Sequence, residues 1–404
     1  MLTRIKKEAQ ELQGTIVGWR RALHQIPETG VNTPQSEAYI CGELDKMSIT
    51  YRKGVGEHGI VALIEGKKPG KVFALRADFD GLPIKEDTGL PFASTNGCMH
   101  ACGHDAHASM LLGAAKLIKD NADSLTGTVK LIFQPGEEGC PDGPGGARKM
   151  LDDGAFENPK PDTIVGMHIG TVWRQEGINL GDILVRYGAM MASMDRFSII
   201  VKGKGAHGAM PNNSIDPISI SAHIISKIQT IISREIDPLE PGVISICQIH
   251  AGSAFNIIPN DCFIEGTVRA LCSDTRKFLA KRIEEIAKST AEGMRGAIEL
   301  NYNWDGPSPL VNDPKVTQEF RDVAEQLFGK EKVKEAARPS MGGEDMAFFM
   351  ERVPGTYFFL NSCNPDKKTD IAHHNPRFDV DEDVFWIGSA AMAGMAFTWL
   401  NTHS

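Results

Sequence analysis

Apolar residues fall along this chain in two rhythms. Toward both ends, short apolar runs without alternation recur: 59–66 (GIVALIEG), 71–78 (KVFALRAD), 127–135 (GTVKLIFQP), 162–170 (DTIVGMHIG) and 356–362 (TYFFLNS). Runs of this length with no polar face predict strands buried on both sides, the habit of parallel sheets. Between them, apolar positions recur at helical spacing over 36–47 and, more strongly, over 108–122, where Met110, Leu111, Ala114, Ala115 and Ile118 share a face. The alternation predicts an α/β fold: a mostly parallel sheet with helices on both faces.

The rhythm changes in the middle. Residues 195–203 (DRFSIIVKG) alternate as a half-exposed antiparallel strand does, and a helix (217–235), two strands (242–250 and 262–271), a helix (274–294) and a strand (297–304) follow. That order predicts an α+β unit with two helices on one face of its sheet. The α/β pattern resumes after the Pro-rich stretch 306–313, GPSPLVND. We therefore expect a discontinuous catalytic domain, 1–189 with 310–404, interrupted by an inserted α+β domain, 190–309. One segment, 384–400 (VFWIGSAAMAGMAFTWL), carries no charge but is at the short limit of a membrane span and rich in Ala and Gly; it predicts a buried helix.

Length and charge narrow the picture. A chain of 404 residues is longer than one core usually serves, which agrees with two domains. A net charge of -9 argues against nucleic-acid and anionic-membrane partners, since nothing would compensate the phosphate field. The basic pairs Lys6-Lys7 and Arg20-Arg21 read as solvated helix faces. Eight cysteines (41, 98, 102, 140, 247, 262, 272 and 363) show no framework spacing and read as buried free thiols in a reducing cytosol. The charged first residues hold no apolar signal-peptide core, so a cytoplasmic location is expected.

Candidate chemistry gathers where the apolar runs end. Asp78 closes one run, Glu137 and Glu138 follow the next, and His168 lies near the end of a third. Beyond the carboxyl ends of strands is where open α/β sheets keep their functional groups. In MHACGHDAHASM (99–110), Cys102 and His104 enter just before the helix expected at 108–122, in a Gly-containing turn whose spacing lets both face one point. Asp105 reads as a cap of that helix, and His100 and His107 as turn or supporting residues; Cys98 lacks the C-x-x-C spacing of a redox pair. The adjacent carboxylates of GEEG (136–139) repel each other, which a nearby cation would relieve; one could bind it while the other acts as general base. With His373 and His374 before an Asn-Pro turn, the set of thiolate, imidazoles and carboxylate suits zinc, with Mn, Co or Ni as alternatives. A thiolate bridging two ions would make a co-catalytic pair.

These motifs resemble the aminoacylase and carboxypeptidase family of binuclear metallohydrolases, in the branch of hippurate hydrolase and indoleacetyl-amino-acid hydrolases. The resemblance runs over nearly the whole chain: RRALHQIPETG (20–30), ALRADFDGLPI (74–84), MHACGHDAHASMLLGAA (99–115), FQPGEEG (133–139), VKGKGAHGAMPNNSIDPI (201–218), GSAFNIIPN (252–260), GTVRAL (266–271), MGGEDMAFF (341–349) and HNPRFDVDE (374–382). It implies two divalent ions per subunit, Cys102 bridging them and His104, Glu138, His168 and His374 completing the set. It also implies Glu137 as general base, Asp78 as a supporting carboxylate, and His207 as the group that polarises the scissile carbonyl from its own or the partner subunit. Asn256, Arg269 and Gly343 match substrate-contact positions, Arg269 for a substrate carboxylate. Other branches place a His ligand where Arg76 stands and an Asp bridge where Cys102 stands. The inserted domain resembles the family's lid and dimerisation domain, which implies a homodimer or higher homo-oligomer. The activity implied is hydrolysis of an N-acyl-L-amino acid to a carboxylic acid and a free amino acid.

Three other readings stay open at this point. A metallo-carboxypeptidase or dipeptidase would act on short peptides through the same residues. A cysteine hydrolase would use Cys102 as nucleophile with a neighbouring His. A metal- or peptide-binding protein would keep the fold without turnover.

Overall fold

The computed structural model describes residues 1–139, 145–171 and 177–403. In chain order it runs α1 (Leu2–His24), α2 (Pro34–Lys46), β1 (Thr50–Val55), β2 (Gly59–Glu65), β3 (Lys68–Asp78), α3 (His104–Asp120), β4 (Thr126–Gln134), α4 (Gly146–Asp152), β5 (Thr163–Gly170), β6 (Ile183–Val185) and β7 (Gly188–Met191). There follow β8 (Asp195–Lys202), β9 (Ala206–His207), α5 (Pro217–Thr230), β10 (Gly242–Ala251), β11 (Ile257–Ile258), β12 (Asp261–Ala270), α6 (Ser273–Gly293) and β13 (Ala297–Asn303). The chain ends with β14 (Leu310–Asn312), α7 (Pro314–Phe328), β15 (Val333–Glu335), α8 (Met346–Met350), β16 (Gly355–Asn361) and α9 (Phe385–Thr402).

Two compact units emerge: Met1–Met190 with Val311–Arg338 and Asp345–Ser404, and Met191–Leu310 with Pro339–Glu344. The last of these segments was expected to stay with the catalytic domain. Backbone pairing carries it across, since Ala192 N–H donates to Gly342 O at 2.9 Å and Met191 bridges Ser340.

The first unit is an α/β sheet in the order β1-β2-β4-β3-β5-β16-β6-β15. Strands β4, β3, β5 and β16 pair in parallel, as their unbroken apolar character predicts. The run at 59–66 is a correction: β2 is antiparallel to both β1 and β4. Its apolar run reports burial on both faces and says nothing of direction, which the three-residue link from β1 decides. Helices α1, α3 and α9 pack on one another within a core that includes Ile16, Leu111 and Phe397.

Helix α9 accounts for the uncharged segment near the C-terminus. Thirteen of its residues are buried, and small side chains let it approach α3 closely. A Cβ on Gly113 would lie 2.3 Å from Ser389 Oγ, whose hydroxyl donates to Met110 O at 2.8 Å. Among the described residues no helix is long and apolar enough to cross a membrane.

The second unit is an antiparallel sheet, β10-β12-β8-β13, whose core residues Phe197, Ile199, Ile264 and Val268 pack against Ile220, Ile224 and Ile228 of α5 and Leu279 and Ile283 of α6. A separate ribbon pairs β9 with β11.

Two expectations about side chains fail. Arg20 is buried, 1% exposed, because it shares the inward face of α1 with Ile16, Leu23 and His24; carboxylates remote in sequence meet it there. The cysteines are mixed in exposure: Cys41, Cys102 and Cys262 are buried, Cys98, Cys272 and Cys363 intermediate, and Cys247 exposed. Cys247 lies at the β10 register shift, on the end strand of its sheet. Cys140 lies outside the described residues.

Candidate active site

The first unit gathers Asp78, Cys102, His104, Glu137, Glu138, His168 and His374 into one cluster beyond the carboxyl ends of β3, β4 and β5. Helix α3 begins at His104, four residues earlier than its apolar periodicity suggests. Gly103 makes this possible with φ +88°, a left-handed conformation that costs a glycine little and turns the chain sharply between Cys102 and His104. The first turn of α3 is polar yet fully buried, which hides it from a hydrophobic pattern.

Candidate ligand atoms converge in overlapping groups. Cys102, His104 and His168 form one; Cys102, Glu138 and His374 another; His104, Glu137 and Glu138 a third. In each group the atoms lie within 4.8 Å of one another. Cys102 Sγ is 3.4 Å from His168 Nε2, and His374 Nε2 is 3.0 Å from Glu138 Oε1. His168 Nδ1 is 2.7 Å from Ile169 O, so Nδ1 carries the proton and the Nε2 lone pair faces Cys102. His374 adopts φ +61°, an uncommon conformation for a residue with a Cβ, and its N–H is held by Ala101 O at 2.8 Å.

The electrostatics of the cluster favour a cation. Both ring nitrogens of His104 are buried and complete no hydrogen bond among the described residues. Burial opposes charge on His104, but Asp78 and Asp80 outweigh it and push its pKa up to about 10. Burial, together with Glu138 and Glu137, drives the Cys102 thiol well above its usual range. That is the reverse of an activated nucleophile, which sits in an electropositive setting. Burial holds the His168 imidazole well below its ordinary value, hence neutral and fit to ligate. Burial works against Glu138, yet His374 and His104 hold its carboxyl below the usual range.

Supporting residues surround the cluster, several of them missed in the sequence. Arg76 is buried and donates to Gln134 Oε1 at 2.8 Å, Asp78 Oδ2 at 2.8 Å and Asp345 Oδ1 at 2.7 Å. His107 Nδ1 bonds Asp78 Oδ1 while its Nε2 accepts from Ile169 N–H at 2.9 Å, so both nitrogens are taken. His373 faces Ile169 O at 3.0 Å, and burial lowers its pKa to about 4. Asp105 is tied to Arg20 at 2.8 Å and His24 at 2.6 Å, a buried ion network in place of the cap expected from its position. His24 and Arg20 stand four apart on an otherwise apolar helix face, a signal that could have been read. Asp80, two residues after Asp78, was overlooked although the same spacing puts both at one strand end.

The other four candidates belong to the second unit. His207 pairs with Ile257 across the β9–β11 ribbon, and Gly208 N–H donates to Asn256 O at 2.8 Å, which sets Asn256 beside it. Ala209 N–H donates to His207 Nδ1 at 3.1 Å. The neutral ring must therefore carry its proton on Nε2, an exposed donor. Nitrogen spectra of ¹⁵N-histidine-labelled protein should find the Nε2–H tautomer at His207; an Nδ1–H tautomer would contradict this geometry. Arg269 on β12 is half-buried and makes no side-chain hydrogen bond among the described residues; burial lowers its pKa. A Cβ on Gly343 would come within 3.3 Å of Arg269 Nη1, so the glycine leaves that guanidinium open.

Residues 74–398 match Peptidase family M20/M25/M40. The chain belongs to this family. Its relatives include Thermostable carboxypeptidase 1 of Saccharolobus solfataricus, 38% identical over 99% of both chains. N-acetyl-L-cysteine deacetylase of Bacillus subtilis is 39% identical over 92% of this chain and 85% of that one. A solved structure of a Bacillus subtilis protein described as a dinuclear metal-binding peptidase of family M20 superposes with a TM-score of 0.82 at 32% identity, covering 97% of this chain and 99% of that one. Membership makes the protein a hydrolase of amide bonds.

Proposed function

We propose that this chain is a metal-dependent amidohydrolase that cleaves N-acyl-L-amino acids to a carboxylic acid and a free amino acid, in the cytoplasm and as a homo-oligomer. The reading rests on one observation, the convergence of Cys102, His104, Glu138, His168 and His374 beside a second carboxylate, Glu137. The donors fit a pair of divalent ions: soft sulfur, neutral imidazole and carboxylate suit zinc first, with Mn, Co or Ni as alternatives. The orphaned His104 nitrogens and the bias toward negative charge support the same reading. When bound, such ions act as Lewis acids that polarise a carbonyl and make a water more acidic.

The residues divide the remaining work. Glu137, which lies in the acidic group with His104 and Glu138, accepts a proton from the attacking water on its carboxylate and returns it to the leaving amide nitrogen. Asp78 is fixed by Arg76 and His107 and keeps negative charge beside His104, whose Nε2 is 3.9 Å away. His207 is the candidate donor, through Nε2–H, to the developing oxyanion. Arg269, with Asn256 and Gly343 as the other candidate substrate contacts, would hold the free carboxylate in a bidentate fork.

Dialysis against a strong chelator should abolish hydrolysis of N-acetyl- and N-benzoyl-amino acids, and Zn²⁺, Mn²⁺ or Co²⁺ should restore it. Activity that survives full chelation but is lost on alkylation of Cys102 would overturn the reading in favour of a cysteine hydrolase. The identity to Thermostable carboxypeptidase 1 favours a second reading, release of C-terminal residues from short peptides. A panel of dipeptides beside acyl-amino acids ranks the two by kcat/KM.

A further inference from the structure

The geometry points to Asp80 as the positioning residue of this centre, a single buried carboxylate that holds the Glu137–Glu138 turn by its backbone and backs the His104 ring. The inference rests on the proposed metal-dependent function. Asp80 is 1% exposed. Its Oδ1 accepts Glu137 N–H at 3.0 Å and its Oδ2 accepts Glu138 N–H at 3.1 Å. The same Oδ1 lies 3.3 Å from His104 Nδ1. One side chain thus joins the proposed general base, one proposed carboxylate ligand and one proposed imidazole ligand.

The chemistry of the residue matters here. Two successive backbone N–H groups present only donors, so each oxygen of the side chain facing them must accept. A carboxylate does this at both oxygens, whereas an amide would set its own NH₂ against one N–H. A carboxylate is otherwise a costly choice, because it stands buried among Asp78, Glu137 and Glu138.

The third contact explains it. Asp80 Oδ1 is the acceptor nearest Nδ1, 3.3 Å away though short of a completed hydrogen bond, and its proximity favours the proton on that nitrogen; Nε2 then faces Asp78 and Glu137 at 3.9 Å each and Glu138 at 4.0 Å. A carboxylate behind a ligating histidine fixes its tautomer and raises its basicity. Asp80 therefore couples the direction of His104 to the place from which the two glutamates project. Asp78 does not fill this place, since it lies by the other ring nitrogen, 3.9 Å from Nε2, and is held by Arg76 and His107.

The test compares wild type, Asp80→Asn and Asp80→Glu in three measurements: urea unfolding midpoint, Zn²⁺ affinity by equilibrium dialysis, and kcat and KM on N-acetyl-amino acids at saturating Zn²⁺. Asp80→Asn, nearly isosteric, should weaken Zn²⁺ binding by about tenfold to a hundredfold and lower kcat with KM little changed. Asp80→Glu keeps an acceptor-only group and should retain more Zn²⁺ affinity than Asp80→Asn. Wild-type affinity and kcat in Asp80→Asn would overturn the proposal, and so would a loss of stability alone or equal affinities in the two variants. If wild type hydrolyses none of the substrates, the proposed function fails, while the dialysis still decides the role of Asp80. If Asp80→Asn does not fold, Asp80→Glu against wild type carries the comparison, with unchanged affinity and kcat counting against it.

Discussion

Glu137→Gln should lower kcat by about 10²–10⁴-fold, the usual contribution of a positioned general base, while KM and ion content stay close to wild type. The amide keeps the shape of the side chain and loses only its ability to take a proton. Its backbone anchor is untouched, because Glu137 N–H donates to Asp80 Oδ1 whatever the side chain. The neighbour should behave differently. Glu138 is 3.0 Å from His374 Nε2 and shares a ligand group with Cys102, so Glu138→Gln should cost ion binding as well as rate. Stopped assays with metal analysis on both variants check the contrast. A fully active Glu137→Gln protein would remove the proposed mechanism.

Arg76→Met should destabilise the protein by about 3–5 kcal/mol, the cost of leaving buried charge without its partner. Arg76 lies in β3 at 0% exposure, and its guanidinium spans Gln134, Asp78 and Asp345. Methionine fills much of the volume and satisfies none of those acceptors. Asp345 keeps the neutral donors Gln134 Nε2 at 2.7 Å and Ala147 N–H at 3.1 Å. The drop is read as a lower urea midpoint of the far-ultraviolet circular dichroism transition. Adding Asp345→Asn should recover part of the loss, because one of the carboxylates that Arg76 held loses its charge. An unchanged midpoint in Arg76→Met would mean that the network carries no net stability.

Arg20 shows how the sequence can mislead through charge, since beside Arg21 it reads as solvent-facing; Arg76, inside a run expected to be buried, gives no sign of its partners. Both are buried because carboxylates from distant segments reach them: Asp345 is 269 residues from Arg76, and Asp379 is 359 from Arg20. No local pattern encodes such a partner. Asp105 failed for the same reason, its partners Arg20 and His24 lying 85 and 81 residues away.

The ligand candidates were legible for a different reason. Cys102 and His104 stand close in sequence, and Asp78, Glu137, Glu138 and His168 each lie at or just beyond the end of an apolar run. A parallel sheet brings those ends to one edge, so strand position alone groups them. His374 had no strand to announce it; its place depends on a strained backbone pinned by Ala101.

Periodicity in the chain was enough for the α/β character, the buried helix near the C-terminus and the inserted antiparallel sheet, because burial is written locally as the spacing of apolar residues. Direction and partnership were left to tertiary structure. The transfer of Pro339–Glu344 to the second unit, the burial of Arg20, the partners of Arg76, and the three contacts of Asp80 all depend on segments meeting from far along the chain. Electrostatic pairing and backbone hydrogen bonding act through space, so residue order restricts them only weakly until the core has packed.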